Sequence, residues 1–287
     1  MPELPEIEIV KRSLIKMINK AKIIDIKINN RNLRYKLPHS FSKQLIGEKI
    51  DKIYRRSKYL IIYFKTKILL IHLGMSGKLL LKKNFSDSIY KTSFYYDTNI
   101  LEKHNHIYFK MNNGLTLVYN DVRRFGFFKL YNTKQINKIV FIKKLGLEPF
   151  AKNFNKKYFF NFIKKKKKNV KNLLMDQTFV SGLGNIYVNE ALYMSKINPL
   201  RVCKNLNDKE IKNLIKNIKK VLKFSILKGG SSIKNFHNTF GKTGGFQEFF
   251  YVYGKENKKC SRISCNGKIK KIQISSRSSF YCNKCQN

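Results

Sequence analysis

Apolar residues recur at helical spacing near the start of the chain, at Ile7, Val10, Leu14, Met17 and Ile18, and predict one helix over residues 3–20. From there to about residue 131 the pattern becomes strand-like. Ile24, Ile26 and Ile28 alternate with other residues, segments 59–64 and 68–73 are short apolar runs, and segments 106–111 and 115–119 flank an Asn113-Gly114 turn. Short strands joined by polar turns predict an antiparallel sandwich or barrel. Residues 82–105 are polar and aperiodic and read as a long loop. After Leu147-Glu148-Pro149 the period returns to helical. It is clearest over residues 208–228, where Ile211, Leu214, Ile215, Ile218, Val221, Leu222 and Ser225 share a face; Asn207 or Asp208 can cap the start, and Gly229-Gly230 ends it. Two shorter helical segments between Asn169 and Ser195 flank Ser181-Gly182-Leu183-Gly184-Asn185. With Asn185 as N-cap, that turn would expose backbone N–H groups able to hold a phosphate; the plainer reading is an interhelical turn. Residues 229–247 hold five glycines among Ser, Asn, Thr and Lys and read as a mobile loop.

Charge narrows the partner. The 287 residues include 60 Lys+Arg against 17 Asp+Glu, a formal net charge of +43, which calls for a polyanion and a strong salt dependence. Part of that basicity follows a general abundance of Lys, Asn and Ile, so its sign carries more than its size. The length suits two or three domains, and 22 Phe with 16 Tyr can build cores. No apolar run reaches the roughly 18 residues of a membrane span, and the acidic start lacks the basic and apolar regions of a signal peptide. The expected location is therefore the cytosol, where cysteines stay reduced and clustered ones suggest metal. Five consecutive lysines at 164–168 read equally as a solvated face or as phosphate contacts.

Four of the five cysteines fall at the C-terminus as Cys260-x4-Cys265 and Cys282-x2-Cys285, with sixteen residues between the pairs. Two short-spaced thiolate pairs can close a tetrahedral zinc site, the intervening residues folding as a hairpin. So small a segment has little core, and metal would supply its folding energy. Cys203 stands apart and reads as a buried structural thiol. Arg277, within Ser275-Ser276-Arg277-Ser278-Ser279, lies on that hairpin and could clamp a phosphate among hydroxyls.

The chain opens Met1-Pro2-Glu3-Leu4-Pro5-Glu6. Removal of Met1 would leave Pro2 as a secondary amine with an α-amino pKa near ~7.7–8.0, uncharged and nucleophilic in part at neutral pH. Attack by such an amine on a sugar carbon gives an iminium ion that acidifies the neighbouring C–H, as an elimination requires. A carboxylic acid such as Glu3 could protonate the ring oxygen as the sugar opens. Against this stands a plainer reading, in which Glu3, Glu6 and Glu8 are first-turn acids complementing a helix dipole.

Further motifs complete a pattern. Arg55-Arg56-Ser57-Lys58-Tyr59-Leu60, His72-Leu73-Gly74-Met75-Ser76-Gly77, Arg123-Arg124-Phe125-Gly126, Gly182-Leu183-Gly184-Asn185-Ile186-Tyr187 and the four terminal cysteines follow the N-terminal motif in one order. In these motifs, across its whole length, the chain resembles the bacterial formamidopyrimidine-DNA glycosylases. The resemblance implies an α+β protein with an N-terminal antiparallel β-sandwich domain (1–131), a helix–two-turn–helix domain with a lesion loop (132–248) and a zinc finger (252–286). It also implies a monomeric enzyme that excises oxidised purines, 8-oxoguanine and formamidopyrimidines, from double-stranded DNA and nicks the abasic site by β- and δ-elimination. By motif, Pro2 is the nucleophile, Glu3 the acid for ring opening, Lys58 the second amine and proton donor, and Arg277 the group serving δ-elimination. DNA contacts fall to His104, Arg123, Lys166 and Asn185, a wedge filling the vacated stack to Met75, Arg123 and Phe125, and Glu6 lines the base pocket. One Zn2+ ion belongs on Cys260, Cys265, Cys282 and Cys285. The sequence departs from the family pattern at Val122, where proline is usual, at the first cysteine spacing, and at Lys242-Thr243-Gly244-Gly245 in the loop. Two other readings compete: an endonuclease VIII-like enzyme for oxidised pyrimidines, whose start typically has glycine where Leu4 stands, and a non-catalytic zinc-ribbon protein that binds nucleic acid.

Overall fold

The computed structural model describes residues 2–83, 89–90, 101–164, 166–231 and 245–287. Two compact units emerge, one of Met1–Lys143 with Lys228–Gln247 and one of Lys144–Leu227 with Glu248–Asn287.

The first unit begins with helix α1 (Leu4–Ile18), opened by a reciprocal capping box between Glu3 and Glu6 and by a proline in its first turn. Its apolar stripe of Ile7, Val10, Leu14 and Ile18 is buried, as the spacing predicts. Strands β1 (Ile23–Ile28), β2 (Lys52–Arg56), β3 (Tyr59–Tyr63), β4 (Lys67–His72), β5 (Lys78–Lys83), β6 (Ile89–Tyr90), β7 (Asn105–Met111), β8 (Leu115–Asn120) and β9 (Phe127–Asn132) follow, with the short helix α2 (Phe41–Leu45) after β1. They form two antiparallel sheets, ordered β1-β7-β8-β5-β6 and β2-β3-β4-β9, and α1 packs on β2 and β3. Ile23, Phe109, Leu117, Leu79 and Leu81 from one sheet meet Leu60, Ile62, Leu69, Ile71 and Phe128 from the other in a single core. The expected sandwich is present.

β3 and β4 read as continuous apolar runs because both faces of their sheet are covered. Leu60 and Ile62 face the sandwich core, while Ile61, Ile68 and Leu70 pack with Phe127 and Ile139, and with Phe141 and Ile142 of the short helix α3 (Val140–Lys143). Within 82–105, expected as one loop, β5 runs to Lys83, Ile89–Tyr90 pairs with it, and Glu102–His104 is a 3-10 turn. The rest of that stretch lies outside the described residues.

The second unit is helical, with α4 (Lys156–Ile163), α5 (Val170–Met175), α6 (Asn185–Ser195) and α7 (Asp208–Leu227), then a hairpin of β10 (Ile269–Ile274) and β11 (Arg277–Cys282). Helix α6 is buried almost all round, from Ile186 to Tyr193, and packs against both α7 and β11. By contrast α7 is amphipathic, its buried Ile211, Leu214, Ile218 and Leu222 all on the expected face. Asn207 caps it by accepting from the Glu210 N–H at 2.9 Å while its own N–H donates to Glu210 at 2.8 Å. Gly229 and Gly230 end it at φ values of 81° and 79°, a conformation glycine adopts without steric cost. Lys228–Ser231 then returns to the first unit, where the Gly245 N–H donates to the Lys228 carbonyl at 3.1 Å. The remainder of the glycine-rich loop lies outside the described residues. Among the described residues no helix is long and apolar enough to cross a membrane.

Candidate functional site

The N-terminal acids are buried. Pro2 is enclosed, and Glu3, Glu6 and Glu8 are at most 8% exposed, which separates them from acids that merely complement a helix dipole in water. The Glu3 N–H donates to Glu6 Oε2 at 2.9 Å, while Glu6 Oε1 accepts from the backbone N–H and the hydroxyl of Ser231 at 2.9 and 3.1 Å. Gly230 passes so close that a Cβ there would sit 3.1 Å from Glu6 Oε1. Glu8 points elsewhere and pairs with Lys11 at 2.7 Å and with Arg12 and Arg55 at 3.0 Å. Burial works against ionising Glu8, but the hydrogen bonds from Lys11 and Arg55 outweigh it and hold the carboxyl below its usual range.

Arg55 carries this network toward Lys58. Its Nη1 donates to the Ser57 carbonyl at 2.9 Å, and Ser57 (φ 56°) with Lys58 makes the two-residue turn joining β2 to β3. The left-handed Ser57 conformation is uncommon outside glycine and its polar relatives, and a buried cationic tie helps retain it. Lys58 is itself 7% exposed. His72, at the end of β4, stacks on Phe127 with ring centroids 5.6 Å apart, and its Nδ1 accepts from the Gly74 N–H at 3.1 Å. Nε2 therefore carries the proton of the neutral ring. Burial, then the charges of Lys58 and Arg34, push its pKa down to about 4. So a neutral imidazole stands within the field of the candidate second amine.

A second cluster lies on the loops after β4 and β8. Met75 and Phe125 are each 43% exposed, too much for the core packing that would otherwise explain them. The Arg123 guanidinium lies 4.5 Å over the Phe125 ring, and its Nη1 meets Met75 Sδ at 3.3 Å. An open recess of about 580 Å³ beside them is lined by Asn32, Arg34, Arg123, Arg124 and Phe125. His104 adjoins this cluster through its carbonyl, which accepts from the Asp121 N–H at 3.0 Å.

In the second unit Asn185 is the first helical residue of α6, not its N-cap, which is Gly184. Its side chain turns instead to donate to the Ser278 carbonyl at 2.9 Å. Lys171, 1% exposed on α5, donates to Ser278 O at 3.1 Å and to Ser279 Oγ at 2.5 Å. Asn189 accepts from the Phe280 N–H at 2.9 Å. These three hold the strand that starts at Arg277, which is exposed just past a turn where Ser275 and Ser276 have φ of 47° and 59°. Two consecutive positive φ values are what a two-residue hairpin turn needs, although serine pays more for them than Asn-Gly would. Lys166 is exposed, its ammonium 5.6 Å over the Phe162 ring, whereas Lys168 is taken up by Asp176 at 2.7 Å. Lys165 lies outside the described residues. Cys203 is buried, Sγ 3.4 Å from the Lys166 carbonyl, and burial raises its thiol pKa.

Cys260, Cys265, Cys282 and Cys285 bring four sulfurs within 4.8 Å of one another, with Cys260–Cys285 at 3.8 Å and Cys265–Cys282 at 3.6 Å. Four sulfurs at ~2.3 Å from a central zinc lie about 3.8 Å apart, so the donor set fits a tetrahedral ion. Gly267 leaves the room required, since a Cβ there would come within 2.6 Å of Cys282 Sγ.

His72, Arg55, Lys171 and Asp121 were given no role of their own by sequence reasoning, and Glu8 was named only as a first-turn acid, not as the partner of Arg55. Each works through a partner distant in the chain, 47 residues away for Glu8 and Arg55 and 108 for Lys171 and Ser279. For His72 and Arg55, membership in an ordered motif was the available signal.

A sandwich that buries acids at its first helix, together with a helical unit ending in a four-thiolate hairpin, defines a class of two-unit proteins with a metal-ready C-terminus. Comparison with known proteins makes the class specific. Residues 1–128 match the formamidopyrimidine-DNA glycosylase N-terminal domain, and residues 145–237 match the formamidopyrimidine-DNA glycosylase H2TH domain. A formamidopyrimidine-DNA glycosylase of Bartonella tribocorum is 41% identical over the full length of both chains. Two crystal structures of Lactococcus lactis FPG, a variant with Fapy-dG-containing DNA and the wild type with DNA containing an oxidized pyrimidine, superpose with TM-scores of 0.87 and 0.86. Both are 36% identical to this chain and cover all of it and all of themselves. The chain belongs to the formamidopyrimidine-DNA glycosylase family.

Proposed function

We propose that the protein is a bifunctional DNA glycosylase and abasic-site lyase of base-excision repair, acting on oxidised purines in duplex DNA. The observation that carries the proposal is the enclosure of Pro2 beside Glu3 and Glu6 at the start of α1, on a chain that matches the glycosylase family along its whole length. With Met1 removed, the Pro2 nitrogen attacks C1′ of the damaged nucleotide and the base departs with a proton. Glu3 protonates the ring oxygen as the sugar opens, leaving an iminium ion at C1′. Loss of a C2′ proton then expels the 3′ phosphate, and a second elimination expels the 5′ phosphate.

Lys58 is the second amine, poised on its turn by Arg55 and Ser57, and Arg277 serves the second elimination. Extrusion of the base costs a few kcal/mol, and Met75, Arg123 and Phe125 fill the space it leaves. Glu6 lines the pocket, and its bonds to Ser231 tie the base of the glycine-rich loop to α1. His104, Arg123, Lys166 and Asn185 contact the DNA. One zinc ion on the four cysteines supplies fold energy to the hairpin rather than chemistry. The functional domains follow the boundaries 1–131, 132–248 and 252–286.

One observation favours a wider substrate range: a 36%-identical relative has been crystallised with DNA containing an oxidized pyrimidine. The deciding experiment compares strand cleavage of duplexes carrying 8-oxoguanine opposite cytosine with duplexes carrying thymine glycol. We expect faster cleavage of 8-oxoguanine and no cleavage of either by Pro2→Gly. Preference for thymine glycol would replace the purine assignment with the pyrimidine one, and no cleavage by the wild type would end both.

A further inference from the structure

We propose that Asp121 is the positioning residue of the wedge, a single buried carboxylate that clasps the loop bearing Met75 to the loop bearing Arg123 and Phe125. The inference rests on the wedge reading above and deepens it.

Asp121 follows β8 and is fully buried. Its Oδ1 accepts from the Ser76 hydroxyl at 2.5 Å and from the Arg123 N–H at 3.2 Å. Its Oδ2 accepts from the Tyr119 hydroxyl at 2.7 Å and from the Gly126 N–H at 2.9 Å. Ser76 Oγ also accepts from the Arg123 N–H at 3.1 Å, which closes a ring from one loop to the other. The backbone of Asp121 is held as well, donating to His104 O at 3.0 Å and accepting from His106 Nε2 at 2.8 Å.

Above this carboxylate the two loops touch main chain to main chain. A Cβ on Gly74 would lie 2.5 Å from Gly126 N, and one on Gly126 would overlap the Tyr119 hydroxyl. Met75 and Ser76 therefore cannot shift without Arg123 and Gly126. Val122, between Asp121 and the arginine pair, is exposed and restrains φ far less than a proline would. Restraint falls to the carboxylate.

The donor arithmetic requires an aspartate. All four partners are neutral donors, and two of them are backbone N–H groups, one on each oxygen. The hydroxyls can rotate; the N–H groups cannot. An asparagine, though the same size, would turn its NH2 either against the buried Gly126 N–H or against the part-buried Arg123 N–H, which would then rely on Ser76 Oγ; either way a donor faces a donor. The wedge has to be formed when the base leaves the stack, because ordering it at that moment would add to the cost of extrusion. Elimination at an abasic site in single-stranded DNA has no vacated stack to fill.

The test uses the full-length protein and Asp121→Asn, with Ser76→Ala as a milder variant that removes one donor. On duplex 8-oxoguanine opposite cytosine, Asp121→Asn should lower kcat/KM for base excision about ten-fold to a hundred-fold, the range one unsatisfied buried donor implies. On a single-stranded oligonucleotide with a preformed abasic site, cleavage should stay within about two-fold of wild type, and Ser76→Ala should show the same split at a few-fold. Equal loss on both substrates would make Asp121 a fold residue only, and no loss on the duplex would show a wedge that assembles without it; either overturns the proposal. Wild-type cleavage of the single-stranded abasic site tells a failure of this inference from a failure of the glycosylase reading, since its absence would sink both.

Discussion

The sandwich end of the chain and the terminal hairpin both hold candidate functional groups still, and they do so by different physics. Around Glu6, Glu8 and Asp121, buried carboxylates gather hydrogen bonds on top of a core that runs through both sheets. The hairpin bearing Arg277 has only a small apolar cluster of Tyr193, Val252, Ile269 and Phe280 with its cysteines. Its order depends on four sulfurs and on polar ties from Lys171, Asn185 and Asn189. A carboxylate clasp is built into the covalent chain, whereas a thiolate centre borrows its free energy from an ion, on the order of 10 kcal/mol for structural zinc. The first should resist chelators and yield to side-chain exchange; the second should do the reverse.

The largest expected effect comes from metal removal. Chelation of the purified protein should abolish hydrogen-exchange protection in β10 and β11 and eliminate binding to lesion DNA, while α1 and the two sheets keep their protection. Protection of the hairpin that survives with zinc measurably absent would erase the distinction between the two regions.

A smaller effect probes the other side. His72 is half-buried and neutral with its pKa pushed down to about 4, so the unfolded chain takes up a proton first as the pH falls. Stability should be complete above about pH 6.5, decline as the pH drops toward 4, and be lower by about 2 kcal/mol at pH 5 from this group alone. His72→Gln should flatten that slope in denaturant titrations at several pH values. An unchanged slope would mean that the ring takes up its proton at the same pH in the folded protein as in the unfolded chain.

How far these regions could be read in advance follows the same division. Periodicity marked α1 and α7 because each buries one stripe on its own length of chain, and cysteine spacing marked the thiolate centre because its ligands are close in sequence. The end of β5 was lost in the supposed loop because Lys82 and Lys83 carry no apolar signal, and their pairing with Thr116 and Leu115 is made by a strand more than thirty residues on. The expected N-cap at Asn185 failed for another reason: Ser278, 93 residues on, claims its side chain. Asp121, Glu8 and Lys171 look like ordinary charged residues until the fold brings their partners to them. What local pattern encodes was legible, and what long-range polar pairing encodes was not.

The central claim is that Pro2 forms a transient covalent bond to the sugar of the damaged nucleotide. Borohydride added during turnover of an 8-oxoguanine duplex should reduce that iminium to a stable cross-link, and peptide mapping should find the DNA on the N-terminal proline. A cross-link to Lys58 or elsewhere, or none formed by protein that cleaves the strand, would contradict the account.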